Sequence, residues 1–193
     1  MKRIAVFCGA SAGSNPVFME VAARVGRVLA QRQIELVYGG ASIGLMGAVA
    51  DGALAAGGKA IGVLPGFFTK REVAHESLTQ MIVVNTMHER KMTMHDLSDG
   101  IIALPGGFGT MEELFEILTW GQLGLHQMPM GLLNVNGFYD ALIQMIQTMV
   151  DNGFLLEINR QMLLVSDDIE DLLEQMHRYQ APEMGQWLKR EGV

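Results

Sequence analysis

The chain has 193 residues, 49% of them apolar, and a formal net charge of −7, which suits one domain with a sizeable core and excludes a disordered chain. The negative balance excludes a nucleic-acid backbone as partner, since that needs a basic surface, but leaves room for a small phosphate held at one local positive site. No apolar run approaches the ~18 residues of a membrane span, so no membrane partner is expected.

Short apolar runs alternate with helical patterns along the whole chain. "RIAVFCG" (3–9) reads as a first strand rather than a leader, because its apolar stretch runs straight into a glycine turn. It ends at Cys8, the only cysteine. No internal disulfide is possible, a reducing cytoplasm is expected, and the thiol reads as a buried strand residue with no base paired to it. Asn15 and Pro16 then supply an N-cap and a first-turn proline. Phe18, Val21, Val25 and Val28 recur at helical spacing behind them. "IELVYGG" (34–40) is the second strand, and the small-residue stretch 43–56 is a helix able to pack close to a sheet. "KAIGVLP" (59–65) and "MIVVN" (81–85) are the third and fourth strands. Thr86 and Glu89 form a capping-box pattern ahead of a helix over 87–97. "GIIALPGG" (100–107) is the fifth strand, and Thr110 with Glu113 forms a second capping-box pattern ahead of a helix over 111–122. "MGLLNV" (130–135), an apolar stripe over 138–149, "MLLVSD" (162–167) and a helix over 168–178 complete the pattern.

The strands are continuous apolar runs, as expected when a strand is buried on both faces. The alternation predicts a single α/β domain over 1–180, with a doubly wound, mostly parallel, Rossmann-like sheet of about seven strands and a peripheral tail over 181–193. Ligands of such sheets sit outside the carboxyl ends of the strands. Four glycine-bearing turns fall there: "CGASAGSNP", "GGASIGLMG", "LPGFF" and "LPGGFGT".

"PGGFGT" (105–110) is either a tight strand–helix turn or an anion site, because Gly106, Gly107 and Gly109 let backbone amides approach a ligand at a helix start. No turn has the G-x-G-x-x-G order, and no G-K-[ST] occurs, so the implied ligand is a mononucleotide or sugar phosphate and not a dinucleotide or triphosphate. In "TMHERKMTMHDL" (86–97), Arg90 lies between Met87 and Met94 on one apolar face, and a half-buried arginine needs an anionic partner, structural or bound. Lys91 adds positive charge beside it. His88 and His95 lack a third ligand at metal-site spacing, so no metal is expected. Glu113 reads as the second half of the capping box, while Glu112 and Glu116 share a helix face that Thr119 continues. A carboxylate so near an anion site is electrostatically costly, unless positive charge develops between the two. A ribosyl oxocarbenium ion is such a charge.

"PGGFGTMEE" carries a P-G-G-x-G-T-x-x-E signature and resembles the Lonely Guy family, cytokinin riboside 5′-monophosphate phosphoribohydrolases often mislabelled as lysine decarboxylases. "CGASAGSNPVF", "VYGGASIGLMGAVADGAL", "MHERKMTMHDLSDGIIALPGGFGT", "ILTWGQLGLHQMPMGLLN" and "NGFYDALIQM" resemble family segments in family order, with Ala41 at a usual glycine. The resemblance implies cleavage of N6-modified or plain AMP to free base and ribose 5-phosphate, with no cofactor. It implies that Arg90 and Glu113 are the catalytic pair. It also implies that Gly106, Gly107, Gly109, Thr110 and Glu112 hold phosphate and ribose, that Glu72, Lys91 and Thr119 make further substrate contacts, and that the protein is a homodimer. A pyridoxal decarboxylase fits badly, because Lys59, Lys70 and Lys91 offer no Schiff-base context. The alternative from another class is a non-catalytic nucleotide or molybdenum cofactor carrier on the same fold.

Overall fold

In the computed structural model of the chain, which describes residues 1–69 and 74–182, every apolar run becomes a strand. The elements in order are β1 (Arg3–Phe7), α1 (Val17–Gln31), β2 (Glu35–Tyr38), α2 (Gly44–Ala55), β3 (Ala60–Pro65) and the single-turn α3 (Gly66–Thr69). Then come β4 (Gln80–Val84), α4 (Met87–Asp96), β5 (Gly100–Ala103), α5 (Phe108–Leu123) and β6 (Met130–Leu133). A 3₁₀ turn over Val135–Gly137, α6 (Asp140–Asp151), the short α7 (Glu157–Arg160), β7 (Leu163–Ser166) and α8 (Ile169–Arg178) complete the fold. The expected mostly parallel sheet is parallel throughout, seven strands in the order β4-β3-β2-β1-β5-β6-β7. Of the expected tail 181–193, residues 183–193 lie outside the described residues, as do Lys70 and Glu72.

Successive residues of a strand point to opposite faces, and both faces here are covered. Ile4, Val6 and Cys8 of β1 and its end, with Leu36 and Tyr38 of β2, pack against α1, α2 and α8. Ala5, Phe7 and Val37 point the other way, against Met94 of α4 and Ile117 of α5. This two-sided burial is why the strands read as unbroken apolar runs. Farther along, Ala103 and Leu132 meet Leu114 and Tyr139 in a third cluster under α5 and α6.

The helix starts decide where the site residues point. Thr86 caps α4, its Oγ1 accepting from the Glu89 amide at 3.1 Å, while the Glu89 carboxylate accepts from the Asn85 amide at 2.7 Å. The capping box expected at Thr110 and Glu113 does not form. α5 begins at Phe108, three residues earlier than that pattern implies, with Gly107 as an N-cap that makes no side-chain bond. Glu113 is thereby freed for a tertiary partner.

Candidate active site

β1 is flanked by β2 on one side and β5 on the other, so the order of strands reverses at β1. The loops leaving β1 and β5 lead to helices on opposite faces and open a crevice between them, the switch point where ligands of this architecture bind. The two loops are tied together by the Gly9 amide, which donates to Pro105 O at 3.0 Å, while Gly9 O accepts from the Leu45 amide of α2 at 3.1 Å and ties in the turn after β2. At their closest approach a side chain is impossible. A Cβ on Gly106 would stand 2.1 Å from Thr110 Oγ1 and 2.9 Å from the Gly9 nitrogen. The buried Tyr139 hydroxyl donates to Leu104 O at 2.6 Å and props the same turn from below.

The crevice is a cavity of about 720 Å³ to which all four glycine-bearing turns contribute. One end carries the Gly106–Thr110 turn and the start of α5, whose first three amide groups, Phe108 to Thr110, precede the first turn's bond from the Met111 amide to Gly107 O and present the positive end of the helix dipole. The other walls are mainly apolar: Leu64 near the end of β3 and Phe68 in α3, Met87 at the start of α4, and Phe18 and Phe138. Phe18 and Phe138 meet edge to face with ring centres 5.9 Å apart. Ala41 lines the cavity without strain, because the positive φ of this turn falls on Gly40 (φ +79) and Gly44 (φ +58) instead.

Arg90 sits in the second turn of α4 and reaches to the ends of β2 and β3. Its Nε donates to Val63 O at 3.1 Å and its Nη1 to Glu113 Oε1 at 2.5 Å. A Cβ on Gly39 would lie 2.1 Å from Nη2, so a glycine directly after β2 leaves the room the guanidinium occupies. The arginine's anionic partner, left open by the sequence, is therefore Glu113, joined across 23 residues. Burial pushes the Glu113 carboxyl above the ordinary glutamate value, against the downward pull of Arg90. Glu113 is thus a buried carboxylate with a raised pKa, paired to the Arg90 guanidinium. Cys8 lines the same cavity, but burial, with Glu113 adding to it, holds its thiol protonated. It is a wall and not a nucleophile.

The structure separates the remaining predicted residues into two groups. Gly106, Gly107, Gly109, Thr110, Glu112, Arg90 and Glu113 all line the cavity. Lys91 and Thr119 do not. The Lys91 ammonium lies 2.5 Å from Glu112 Oε1 and 2.9 Å from Glu116 Oε2. Glu116 Oε2 has no aligned hydrogen bond, so the second contact is ionic only. Burial pulls Lys91 down, but the two glutamates outweigh it and leave its pKa above the ordinary value. Thr119 Oγ1 donates to Phe115 O at 2.7 Å and faces a second, smaller cavity of about 200 Å³ between α5, α6 and α7. The sequence reading missed the apolar walls and the Val63 carbonyl; their signal was position alone, at the carboxyl ends of strands.

These features define the class: a Rossmann-like α/β protein with a crevice of about 720 Å³, a glycine-rich helix start at one end of it and a buried arginine–carboxylate pair. Comparison with known proteins carries it further. A family model described as "possible lysine decarboxylase" matches residues 46–176. A cytokinin riboside 5′-monophosphate phosphoribohydrolase of Arabidopsis thaliana is 43% identical over 179 residues, covering 93% of this chain and 82% of that protein. A probable enzyme of the same name from Oryza sativa subsp. japonica is 45% identical over 177 residues, covering 92% and 79%. The chain belongs to this family, the Lonely Guy family. Among solved structures, the molybdenum cofactor carrier protein of Chlamydomonas reinhardtii superposes with a TM-score of 0.70 at 24% identity, covering 92% of this chain and 98% of that one. At that identity the likeness is one of fold. The decarboxylase description finds no support in the site. No lysine among the described residues lines the cavity, and the lysine nearest the arginine is held charged by two carboxylates, the opposite of what Schiff-base chemistry requires.

Proposed function

We propose that this protein is a phosphoribohydrolase that cleaves the N-glycosidic bond of adenosine 5′-monophosphate and its N6-modified forms, releasing free base and ribose 5-phosphate. The observation that carries this reading is the buried Arg90–Glu113 pair, set in one crevice with the glycine-rich start of α5. The 5′-phosphate is held at Gly106, Gly107, Gly109 and Thr110, where free amides and the helix dipole favour an anion. The ribose then extends toward Glu113, with Glu112 at its hydroxyls. As the C1′–N9 bond stretches, positive charge grows on the ribosyl centre and the electron pair leaves with the base. Glu113 stabilises that centre and takes a proton from the attacking water, which adds to C1′; the departing base takes up a proton at the nitrogen it leaves with. Arg90 orients the substrate and offsets negative charge. The apolar walls at Leu64, Phe68 and Met87 offer room for the base and an apolar N6 substituent. Glu72 is a further proposed substrate contact from beyond the described residues. The chemistry needs neither a cofactor nor a metal, because a carboxylate and a guanidinium supply both charges.

The catalytic unit is residues 1–180, working as a homodimer in a reducing, cytoplasmic compartment. Support for self-association is the exposed apolar side chains on and around α5–α7, where Leu123, Leu125, Met145 and Phe154 all stand more than half exposed. Thr119 belongs to that face. Light scattering is expected to give twice the 21.1 kDa chain mass, and a monomer at micromolar concentration overturns the dimer. No helix among the described residues is long and apolar enough to cross a membrane.

The activity is tested by incubating the protein with AMP and following adenine and ribose 5-phosphate chromatographically. Release of both supports the hydrolase; tight binding with no release returns the carrier reading.

A further inference from the structure

Among the described residues the connection from β3 to β4 has only the single-turn α3 as a helix, and residues 74–79 pack on the sheet behind it. Leu78 lies directly on β3: a Cβ on Gly62 would stand 2.5 Å from Leu78 Cδ1 and 2.8 Å from Gly40 Cα. At the far end Thr79 pairs with Ala60, its amide donating to Ala60 O and its Oγ1 accepting from the Ala60 amide, both at 3.1 Å. At the near end Ala74 forms an antiparallel bridge with Ala41, and the His75 amide donates to Gly40 O at 3.0 Å.

His75 pins the near end. Its side chain is 8% exposed and lines neither cavity. The Ser77 amide donates to its Nδ1 at 3.2 Å. An amide can only donate, so the ring proton sits on Nε2, which donates to Asp51 Oδ1 of α2 at 3.1 Å. Asp51 is 73% exposed, so that bond contributes little. The Ser77 bond is the stronger arm, because losing it leaves a half-buried donor unpaired. The turn held in this way is the one that makes room for Arg90. Gly39, Ala41 and Ile43 line the cavity, and Gly39 stands against the Arg90 guanidinium. Gly40 has φ +79. Two glycines in succession have wide conformational freedom and do not hold such a turn by themselves.

We infer that His75 is a positioning residue for Arg90: it holds residues 74–77 against the turn at 39–41, and so fixes the wall beside which the guanidinium reaches Glu113. It touches no substrate and acts through the arginine. The inference rests on the reading of Arg90 and Glu113 as the catalytic pair.

The test measures kcat/KM for AMP, per folded molecule and well below each melting temperature, for the wild type, His75→Asn, His75→Gln and His75→Ala. His75→Ala is then combined with Arg90→Lys. The asparagine Oδ1 takes the place of Nδ1 and can accept from the Ser77 amide in an Asx turn, whereas glutamine reaches Asp51 and leaves Ser77 unpaired. His75→Ala and His75→Gln are expected to lower kcat/KM roughly fivefold or more, and His75→Asn by less than about twofold. In the Arg90→Lys background, where the fork geometry is already gone, His75→Ala should cost less than about twofold further, since residues that act through one another are not additive. A lowered melting temperature with unchanged kcat/KM in His75→Ala shows a merely structural role and overturns the inference. An equal loss with and without Arg90 overturns it too, as does a loss in His75→Asn as large as in His75→Ala. If His75→Ala does not fold, His75→Gln replaces it in the double variant, since it keeps the Asp51 arm. If the wild type releases no adenine from AMP, the hydrolase reading fails and AMP becomes a stable ligand. Its dissociation constants for the same proteins, measured by titration calorimetry with the same ratios expected, then decide this inference alone.

Discussion

Arg90 Nη1 and Glu113 Oε1 stand 2.5 Å apart, with side chains only 11% and 10% exposed. One residue onward along α4, Lys91 meets Glu112, one residue back along α5. The two helices are thus joined by neighbouring ion pairs, and only the first lies open to the crevice on both sides. A buried pair of this kind is poor evidence for stability, because desolvation offsets most of its Coulomb gain. Its position at the cavity wall is what makes it the proposed catalytic pair.

Glu113→Gln keeps the shape and removes the base. We expect kcat to fall by roughly 10²–10⁴ while AMP binding persists. Near-normal turnover would show the carboxylate to be structural and move attention to Glu112.

The same variant reads out the buried charge. Burial raises the folded-state pKa of Glu113 above its unfolded value, so the folded state binds the proton more tightly. The carboxyl's contribution is then fully present below the unfolded pKa and is lost as pH rises through the folded one. The melting temperature of the wild type relative to Glu113→Gln should therefore decline from acid toward neutral pH. A relative melting temperature that rises over that range contradicts the assignment.

Arg90→Lys keeps the charge but cannot serve Val63 O and Glu113 Oε1 together, since an ammonium is a compact donor and not a planar fork. Both kcat and AMP affinity are expected to fall, and Arg90→Ala should lose more of each. Retention of wild-type kcat/KM by Arg90→Lys would remove the need for the fork geometry.

If the start of α5 anchors phosphate, its binding energy orients the ribose, and the dephosphorylated substrate forfeits it. Adenosine should show a kcat/KM at least about 10²-fold below that of AMP, and EDTA should leave AMP cleavage unchanged. Equal values for the two substrates sink the phosphate anchor; abolition of activity by EDTA sinks the metal-free mechanism.

Tyr139→Phe deletes the hydroxyl that props Leu104 O and leaves a buried carbonyl unpaired. The expected cost is about 1–3 kcal/mol. For a chain of this size that is a drop of at least roughly 2–4 °C in Tm, with kcat little changed because no reacting atom is touched. An unaltered Tm would mean that water or another donor takes over the carbonyl.

The sheet was readable from sequence because two-sided burial makes each strand an unbroken apolar run, as in "RIAVF" and "IELVY". The Thr86–Glu89 box was readable because a capping box is local. The Thr110–Glu113 box misled for the complementary reason. A glycine N-cap at Gly107 leaves no side-chain signature, so the helix start was set three residues late, and a tertiary partner took the glutamate that the pattern assigned to a cap. α3 and α7 are single turns, too short for a periodic signal. Arg90 announced its need for an anion through its place between two methionines, and Glu113 announced an unexplained carboxylate. That the two meet depends on sheet order, which no local pattern encodes. For Lys91 the sequence suggested added positive charge at the site, and the structure shows that charge already shared by two glutamates.

The central pairing of β1 with β5, Ile4 opposite Gly100, sets the order in which the molecule can assemble. β1 to β4 are consecutive neighbours and can zip together as each βα unit leaves the ribosome, giving half a sheet with one raw edge along β1. That edge is Ile4, Ala5, Val6 and Phe7, apolar on both faces, and it stays open until the fifth strand arrives. Non-local closure of this kind is slow, and an uncovered hydrophobic edge is a template for the wrong partner. The crevice proposed to hold the substrate is therefore also a seam closed late in folding. Until it closes, that apolar edge is free to pair with the same edge of another copy.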